Sequence, residues 1–249
     1  ETLAIHAGQD PDPTTGAVVV PIYQTSTYKQ DGVGGLRGGY EYSRSGNPTR
    51  TALEECLAAL EVGARGLAFA SGLAASATLL HTLTKPGDHV VIPNDAYGGT
   101  FRLIDKIMVP WGLTYSPGPV SDPNAVAAAM TPQTKLVWLE TPTNPLLGIA
   151  DIGAIAAIAH DAGALLVVDN TFASPYLQQP ILYGADVIVH STTKYLGGHS
   201  DVVGGALVAV DAELGDRLAY PQTASGAYPG PFVSGRARRA SPTPCVAAA

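Results

Sequence analysis

Short, fully apolar segments alternate along this chain with segments of helical periodicity, and this alternation limits the folds that it can adopt. Examples of the apolar segments are Leu-Leu-Val-Val at 165–168 and Val-Ile-Val at 187–189. Continuous apolarity indicates strands buried on both faces, as in a parallel sheet covered by helices. We predict strands at 66–70, 89–92, 135–139, 164–168, 186–189 and 205–210, and helices at 74–83, 100–108, 123–130 and 152–162, the last closed by Gly163. The sequence therefore predicts an α/β fold with a mostly parallel sheet.

The segments on either side of this alternating region have a different character. Residues 1–48 show little periodicity, and an irregular stretch of that length predicts a functional segment or one that wraps another chain. A helix is predicted to begin after Pro48, with Thr49 as its N-cap. Beyond Phe232 no helical or strand period is visible. We therefore predict an N-terminal arm (1–48), an α/β domain (49–232) and an irregular tail (233–249).

Composition argues against several classes of function. The formal net charge of −7 is the opposite of the basic face that a nucleic-acid-binding protein presents. No apolar run approaches the roughly 18 residues of a membrane span, and no signal stretch opens the sequence. The two cysteines form no ligand-spaced cluster with histidines, so we expect neither disulfides nor a metal site. We predict a cytoplasmic protein without nucleic-acid or membrane partners, whose 46% hydrophobic content favours burial between copies of the chain.

A single lysine follows one of the apolar segments and suggests covalent cofactor chemistry. The strand at 186–189 runs through His190 into Ser191, Thr192, Thr193 and then Lys194. Lysine and arginine together number only 14 of 249 residues. An amine beside a buried strand can lose its proton and react, and the hydroxyl groups can hold an anionic group. This combination predicts a Schiff-base lysine for pyridoxal phosphate (PLP); the alternative is a surface lysine.

Other polar residues also stand where predicted strands end, and ligands of α/β sheets gather there. Asp169 follows the strand at 164–168, and a carboxylate can keep the pyridine nitrogen of PLP protonated. Gly72 and Leu73 follow Ser71 at the start of a predicted helix, where free N–H groups bind phosphate. Tyr97 lies at a strand-to-helix junction and could stack on a planar cofactor or simply pack.

Two loops complete the set of candidates. Tyr42 and Arg44 precede the first helix, and the arginine suits either a phosphate or a carboxylate. Asn144 lies in the proline-fixed loop Glu140-Thr-Pro-Thr-Asn-Pro and could approach cofactor or substrate. The histidines, including His190 and His199, are interpreted as structural. No Gly-x-Ser-x-Gly elbow of a hydrolase and no dinucleotide-binding glycine pattern is found.

In this order, the motifs resemble those of the cysteine/methionine-metabolism family of PLP enzymes, which includes cystathionine γ-synthase, cystathionine γ-lyase and methionine γ-lyase. The resemblance runs from about Ile5 to Phe232. The matching stretches are Tyr40-Glu-Tyr-Ser-Arg-Ser-Gly-Asn-Pro-Thr, Ser71-Gly-Leu-Ala, Asp95-Ala-Tyr-Gly-Gly-Thr, Glu140-Thr-Pro-Thr-Asn-Pro, Val168-Asp-Asn-Thr-Phe and His190-Ser-Thr-Thr-Lys-Tyr-Leu-Gly-Gly-His-Ser-Asp.

The resemblance implies the large domain of the aspartate aminotransferase fold type and a role for each candidate. Lys194 would hold PLP covalently and later move protons, while Asp169 would pair with the pyridine nitrogen and Tyr97 would stack on the ring. The phosphate would be held by the backbone of Gly72 and Leu73 with Ser191 and Thr193. Tyr42 and Arg44 would reach the phosphate site of a neighbouring subunit across a dimer interface, and two such dimers would form the tetramer that is usual in the family.

The implied activity is γ-replacement or γ-elimination on sulfur amino acids. We favour cystathionine γ-synthase, which joins an activated homoserine to cysteine; the γ-lyases are the alternative, which Glu41 beside the site tyrosine also suits. The sequence departs from the family at Leu73, where many relatives have methionine, and after Phe232, where a C-terminal domain with a substrate-binding arginine would follow. A truncated, inactive cofactor-binding fragment and a non-enzymatic assembly subunit therefore stay open as further alternatives.

Overall fold

A computed structural model describes residues 5–240, and its centre is a seven-stranded sheet. The sheet order is β1-β7-β6-β5-β4-β2-β3, with β7 antiparallel to both of its neighbours and all other pairs parallel. The mostly parallel sheet that the sequence predicts is confirmed. The strands are β1 (Arg65–Phe69), β2 (His89–Pro93), β3 (Thr114–Gly118), β4 (Thr134–Glu140), β5 (Leu165–Asp169), β6 (Val187–His190) and β7 (Gly205–Ala209).

Helices cover both faces of this sheet. They are α1 (Pro48–Glu61), α2 (Gly72–Leu83), α3 (Gly98–Leu103) with a π-helical turn (Ile104–Met108) and α4 (Val109–Trp111), α5 (Pro123–Ala129), α6 (Ile152–Asp161), α7 (Ser174–Leu177) with a 3₁₀ turn (Pro180–Tyr183), α8 (Ala212–Ser225) and α9 (Pro231–Ala240). Leu57 of α1 and Ile155 of α6 belong to one apolar cluster, and Leu79 of α2 and Leu218 of α8 to the other. Among the described helices, none is long and apolar enough to cross a membrane.

The structure contains one strand that was not predicted, and it places the start of α1 differently. Strand β3 was not predicted, because its sequence Thr-Tyr-Ser-Pro-Gly carries few strand formers; it lies at the edge of the sheet, where proline is tolerated. The N-cap of α1 is Asn47 and not Thr49. The Asn47 side chain accepts the Thr49 N–H at 3.0 Å, and Pro48 takes the first helical position, where its missing N–H costs nothing.

The expected irregular tail is wrong for residues up to 240, which belong to helix α9. Sequence reasoning missed this helix because its buried face is made of small residues. Ser234 and Ala237 are buried against the body of the protein, and a Cβ on Gly235 would lie 2.9 Å from Ile22 Cγ1. Arg238 donates to the carbonyl oxygen of Ala7 at 2.6 Å. The remainder of the predicted tail, 241–249, lies outside the described residues.

Candidate active site

A cavity of about 260 Å³ opens at the carboxyl ends of β4, β5 and β6, beside the start of α2. This is the edge at which α/β sheets bind ligands. Sequence reasoning missed several of its lining residues, among them Thr100, Glu140, Thr171 and Phe172. The predicted site residues that line the cavity are Lys194, Asp169, Tyr97, Gly72, Leu73, Ser191, Thr193 and Asn144.

The start of α2 gives the cavity an anion-binding side. Ser71 caps the 12-residue helix, because its Oγ accepts the Ala74 N–H at 3.1 Å. In the part of the chain that the structure describes, the N–H groups of Gly72 and Leu73 have no protein acceptor outside the helix. A side chain at position 72 would crowd the facing loop, since a Cβ there would lie 3.1 Å from Ser191 Cβ. Free N–H groups at a helix start favour phosphate.

Lys194 stands in the loop that follows β6. The loop is held in place by Thr193, whose hydroxyl donates to Gly204 O at 3.2 Å and accepts the Gly204 N–H at 3.0 Å. Ser191 lines the cavity and is fixed through its N–H, which donates to Thr171 Oγ1 at 2.9 Å; within the described chain no hydrogen bond is recorded for its own hydroxyl. Ser191 is therefore the more available of the two predicted phosphate-binding hydroxyls, because the Thr193 hydrogen is committed to a backbone oxygen.

Two carboxyl groups border the cavity. Asp169 ends β5 and accepts the Thr171 N–H at 3.0 Å, and burial raises the pKa of the Asp169 carboxyl. Glu140 ends β4, pairs in register with Asp169 and accepts the Tyr97 N–H on both oxygens, at 2.9 and 3.0 Å. Burial, and secondly the nearby charge of Asp169, raise the pKa of Glu140 to about 8. Glu140 thus holds the backbone of Tyr97, a role signalled only by its place at the end of a strand.

We expect the cofactor-free protein to lose stability between about pH 4.5 and about pH 8 because of Glu140. Its pKa is higher in the folded than in the unfolded chain, so the folded state binds more protons in this window and the unfolding free energy falls as the pH rises. Glu140→Gln removes this contribution and should raise the unfolding free energy at pH 8 by roughly 2–4 kcal/mol. Urea titrations at pH 5 and pH 8 measure the change.

The matched control for this experiment is Glu55→Gln, because Glu55 is exposed on α1. This variant should follow the wild-type protein at both pH values. If the wild-type and Glu140→Gln proteins lose equal unfolding free energy from pH 5 to pH 8, the pH dependence does not come from Glu140, which would contradict the prediction. Part of the pH dependence will persist in Glu140→Gln, since the pKa of Asp169 is raised in the same direction.

Tyr42 and Arg44 do not line the cavity of their own chain. Arg44 Nη1 donates to the Thr223 carbonyl oxygen at 3.0 Å, and its guanidinium lies 5.5 Å from the centre of the Tyr42 ring. Both residues belong to the segment that precedes α1. In the described chain this segment contains turns and two isolated β-bridges, Thr27–Tyr42 and Arg37–Tyr40.

The donors around the cavity fit PLP. Free N–H groups and a serine hydroxyl suit its phosphate, the amine of Lys194 suits its aldehyde, and the Asp169 carboxylate suits a protonated pyridine nitrogen. Tyr97 is 42% exposed, so its ring is free to contact a planar group. The described residues contain no cluster of three or more histidine, cysteine, aspartate or glutamate side chains arranged to hold a metal ion.

Comparison with known proteins identifies the family. The model of the family described as Cys/Met metabolism PLP-dependent enzyme matches residues 1–239. Cystathionine gamma-synthase of Mycobacterium bovis is 64% identical over 231 residues, and cystathionine beta-lyase of Lactococcus lactis subsp. cremoris is 53% identical over 231 residues. Each alignment covers 93% of this chain and 60% of the relative. The crystal structure of metB from Corynebacterium glutamicum matches with a TM-score of 0.96 and 51% identity, over 98% of this chain and 64% of that one.

These findings confirm the resemblance that the motifs suggested, and with it the PLP-dependent fold type. The chain spans about 60% of the length of the curated relatives that it matches. PLP is the cofactor of the family, and the cavity is built from residues that fit it. This chain belongs to the Cys/Met metabolism family of PLP-dependent enzymes.

Proposed function

We propose that this chain carries the PLP-binding half of a γ-replacement enzyme that joins an activated homoserine to cysteine, which is the reaction of cystathionine γ-synthase. The observation that carries the proposal is the shared cavity of Lys194, Asp169, Tyr97 and the free start of α2. Cystathionine γ-synthases are among the relatives of highest identity, at 64%. We expect the protein to act in the cytoplasm, where sulfur amino acids are made.

The predicted site residues of the cavity have the following proposed tasks. When bound, PLP supplies an aldehyde for covalent attachment and a ring that withdraws electrons from the substrate. The N–H groups of Gly72 and Leu73, with the Ser191 hydroxyl, bind the phosphate. Asp169 holds a proton on the pyridine nitrogen, and Tyr97 stacks on the ring.

Lys194 is the proposed base. Its Nζ would remove the proton from Cα of the amino acid and would return protons later in the reaction. Asn144 lies in the same cavity and is proposed to orient the cofactor or the substrate.

We also propose that a second copy of the chain completes the site. Tyr42 and Arg44 lie outside their own cavity, and Tyr42 is 41% exposed in the single chain. The same segment carries exposed apolar residues, of which Val33 is fully exposed and Val18 is 71% exposed. Exposed apolar surface favours association, and a symmetric pair would bring Arg44 of each copy to the phosphate of the other.

Product analysis distinguishes the synthase from its alternatives. Purified protein with PLP is incubated with O-succinylhomoserine and cysteine in one reaction, and with cystathionine alone in another. Cystathionine formed in the first reaction supports the synthase, whereas 2-oxoacid and ammonia formed in the second indicate a lyase. Bound PLP without turnover in either reaction indicates the inactive cofactor-binding alternative, and absence of PLP binding would overturn the proposal.

A further inference from the structure

A tight turn at 42–46, which we call the arginine turn, presents Arg44 on the surface of the chain. The turn is closed by the carbonyl oxygen of Tyr42, which accepts the Ser45 N–H at 3.0 Å. Tyr42 and Arg44 are exposed, whereas Ser43 between them is buried. The backbone of the turn is therefore fixed to the body of the protein, while its two candidate phosphate ligands face outward.

A second arginine, Arg50 of α1, supports the arginine turn from inside the protein. Arg50 is only 4% exposed. Its Nη1 donates to the carbonyl oxygen of Ser43 at 3.1 Å, and its Nη2 donates to the carbonyl oxygen of Arg44 at 3.3 Å. One planar guanidinium thus holds the peptide groups on both sides of the Arg44 Cα, and with them the direction in which the Arg44 side chain leaves the backbone.

The Arg50 guanidinium is held in turn by residues of α1, β1 and α8. Its Nε lies 3.7 Å from Glu54 Oε1, one helical turn further along α1, and the centre of the Tyr228 ring lies 4.8 Å from its Cζ. Glu54 Oε1 accepts the Ala68 N–H at 2.9 Å and a hydrogen bond from Gln222 Nε2 at 3.0 Å. The arginine turn is therefore connected to the sheet through Arg50.

The orientation of Arg50 fits the arginine turn better than it fits the pair with Glu54. Arg50 Nε is buried and has no hydrogen-bond partner among the described residues, because 3.7 Å is too long for a hydrogen bond to Glu54. A buried pair with an unsatisfied donor contributes little to stability. Both terminal nitrogens, in contrast, donate to the turn. This arrangement indicates that Arg50 serves the conformation of Arg44.

We propose that Arg50 is a positioning residue that acts in trans, because it fixes the arginine turn so that Arg44 reaches the PLP phosphate of a second copy of the chain. This inference rests on the proposed completion of the site by a second copy. Arg50 does not line the cavity of its own chain. A side chain that is already held in its bound orientation loses less conformational entropy on binding. Loss of Arg50 should therefore weaken PLP binding in the neighbouring copy and not in its own.

Mixed dimers of two differently tagged copies separate these two effects. One copy carries Lys194→Ala, so that borohydride reduction can attach PLP to Lys194 only in the other copy. Mass spectrometry gives the PLP concentration at which labelling of this lysine is half-maximal. In the first arrangement, Arg50→Lys is placed in the Lys194→Ala copy, which supplies the arginine turn to the measured site. In the second arrangement, Arg50→Lys is placed in the copy that carries the measured lysine.

We expect the first arrangement to raise the half-labelling concentration roughly threefold to tenfold, and the second to leave it unchanged. Lysine keeps the charge beside Glu54 but lacks the planar fork that spans two carbonyl oxygens. Arg65→Lys is the matched control, because Arg65 is half exposed and pairs with Asp216 at 3.8 Å; it should change neither arrangement. Equal effects in both arrangements, or no effect in the first, would overturn the proposal.

Arg44→Ala in the first arrangement tests the shared site on which this inference rests, and it should raise the half-labelling concentration roughly tenfold or more. If Arg44→Ala has this effect and Arg50→Lys has none, the inference fails and the shared site stands. If Arg44→Ala has no effect, or the copies do not associate, both proposals fail. Should Arg50→Lys not fold, the double variant Arg50→Gln with Glu54→Gln removes the pair together and must give the same loss in the first arrangement only.

Discussion

The Lys194→Ala variant is expected to lose covalent PLP and roughly 10³-fold or more of the turnover of the wild-type protein. The physical reason is that one amine is proposed for both tasks, since Lys194 Nζ would attach to the aldehyde and would later remove the Cα proton. No other lysine lines the cavity in the described chain, so no amine is in place to substitute. The visible absorbance of the PLP-loaded protein and the rate of product formation measure the two losses.

Lys135→Ala is the matched control for this variant. Lys135 lies on β4 but is exposed and absent from the cavity lining. It should keep the wild-type absorbance band and rate. A Lys194→Ala protein that retains the wild-type band after removal of free PLP would show that the cofactor is attached elsewhere, and the roles assigned to the cavity would then be wrong.

The Gly205→Ala variant should show a large structural effect. A Cβ at position 205 would lie 2.2 Å from Ser71 O, 2.4 Å from Ser71 C and 2.7 Å from Gly72 N, and all three are backbone atoms. The start of α2 would have to move, which displaces the N–H groups that are proposed to bind phosphate. We expect a loss of about 3 kcal/mol in unfolding free energy and a clear loss of PLP affinity. Urea unfolding and fluorescence titration with PLP measure these changes.

Gly118→Ala controls for the general cost of adding a methyl group to a buried strand glycine. Gly118 ends β3, and the nearest atom to a Cβ there is Ala125 O, at 3.9 Å. This variant should unfold close to the wild-type protein and bind PLP normally. Equal losses in Gly118→Ala and Gly205→Ala would contradict the importance of the contact between β7 and α2.

Sequence reasoning succeeded where one side-chain pattern dictates the local structure. Two strands are buried on both faces, at Leu166 to Val168 and Val187 to Val189. Their unbroken apolar sequences indicate strands that are covered on both sides. The residues that follow these strands reach the same edge of the sheet, so Asp169 and Lys194 could be expected to share a site. The position of Gly72 at a helix start is likewise local information.

The failures concern features that depend on contacts between distant residues. Strand β3 forms because its backbone pairs in parallel with β2. The residues from Thr114 to Gly118 have little strand preference of their own. Helix α9 packs against α1, and its Arg238 donates to the Ala7 carbonyl oxygen. Neither contact can be inferred from the small and basic residues of the helix.

The same reasoning explains Glu140, which stood inside a quoted motif without a role. Its interaction with the Tyr97 N–H joins the ends of β4 and α3, and only the folded chain shows that both oxygens are engaged. Tyr42 and Arg44 remain predictions of a different kind, because their proposed target belongs to another copy of the chain. Sedimentation of Arg44→Ala and of the wild-type protein, with PLP titrations of both, would separate association from phosphate binding.

The most direct test of the central claim is to identify the residue that carries the cofactor. The protein is incubated with PLP, reduced with borohydride, digested and examined by mass spectrometry. A pyridoxyl group on Lys194, in the peptide that contains Ser191 and Tyr195, is the predicted result. Reduction that leaves Lys194 unmodified, or that places the group on another lysine, would contradict the account.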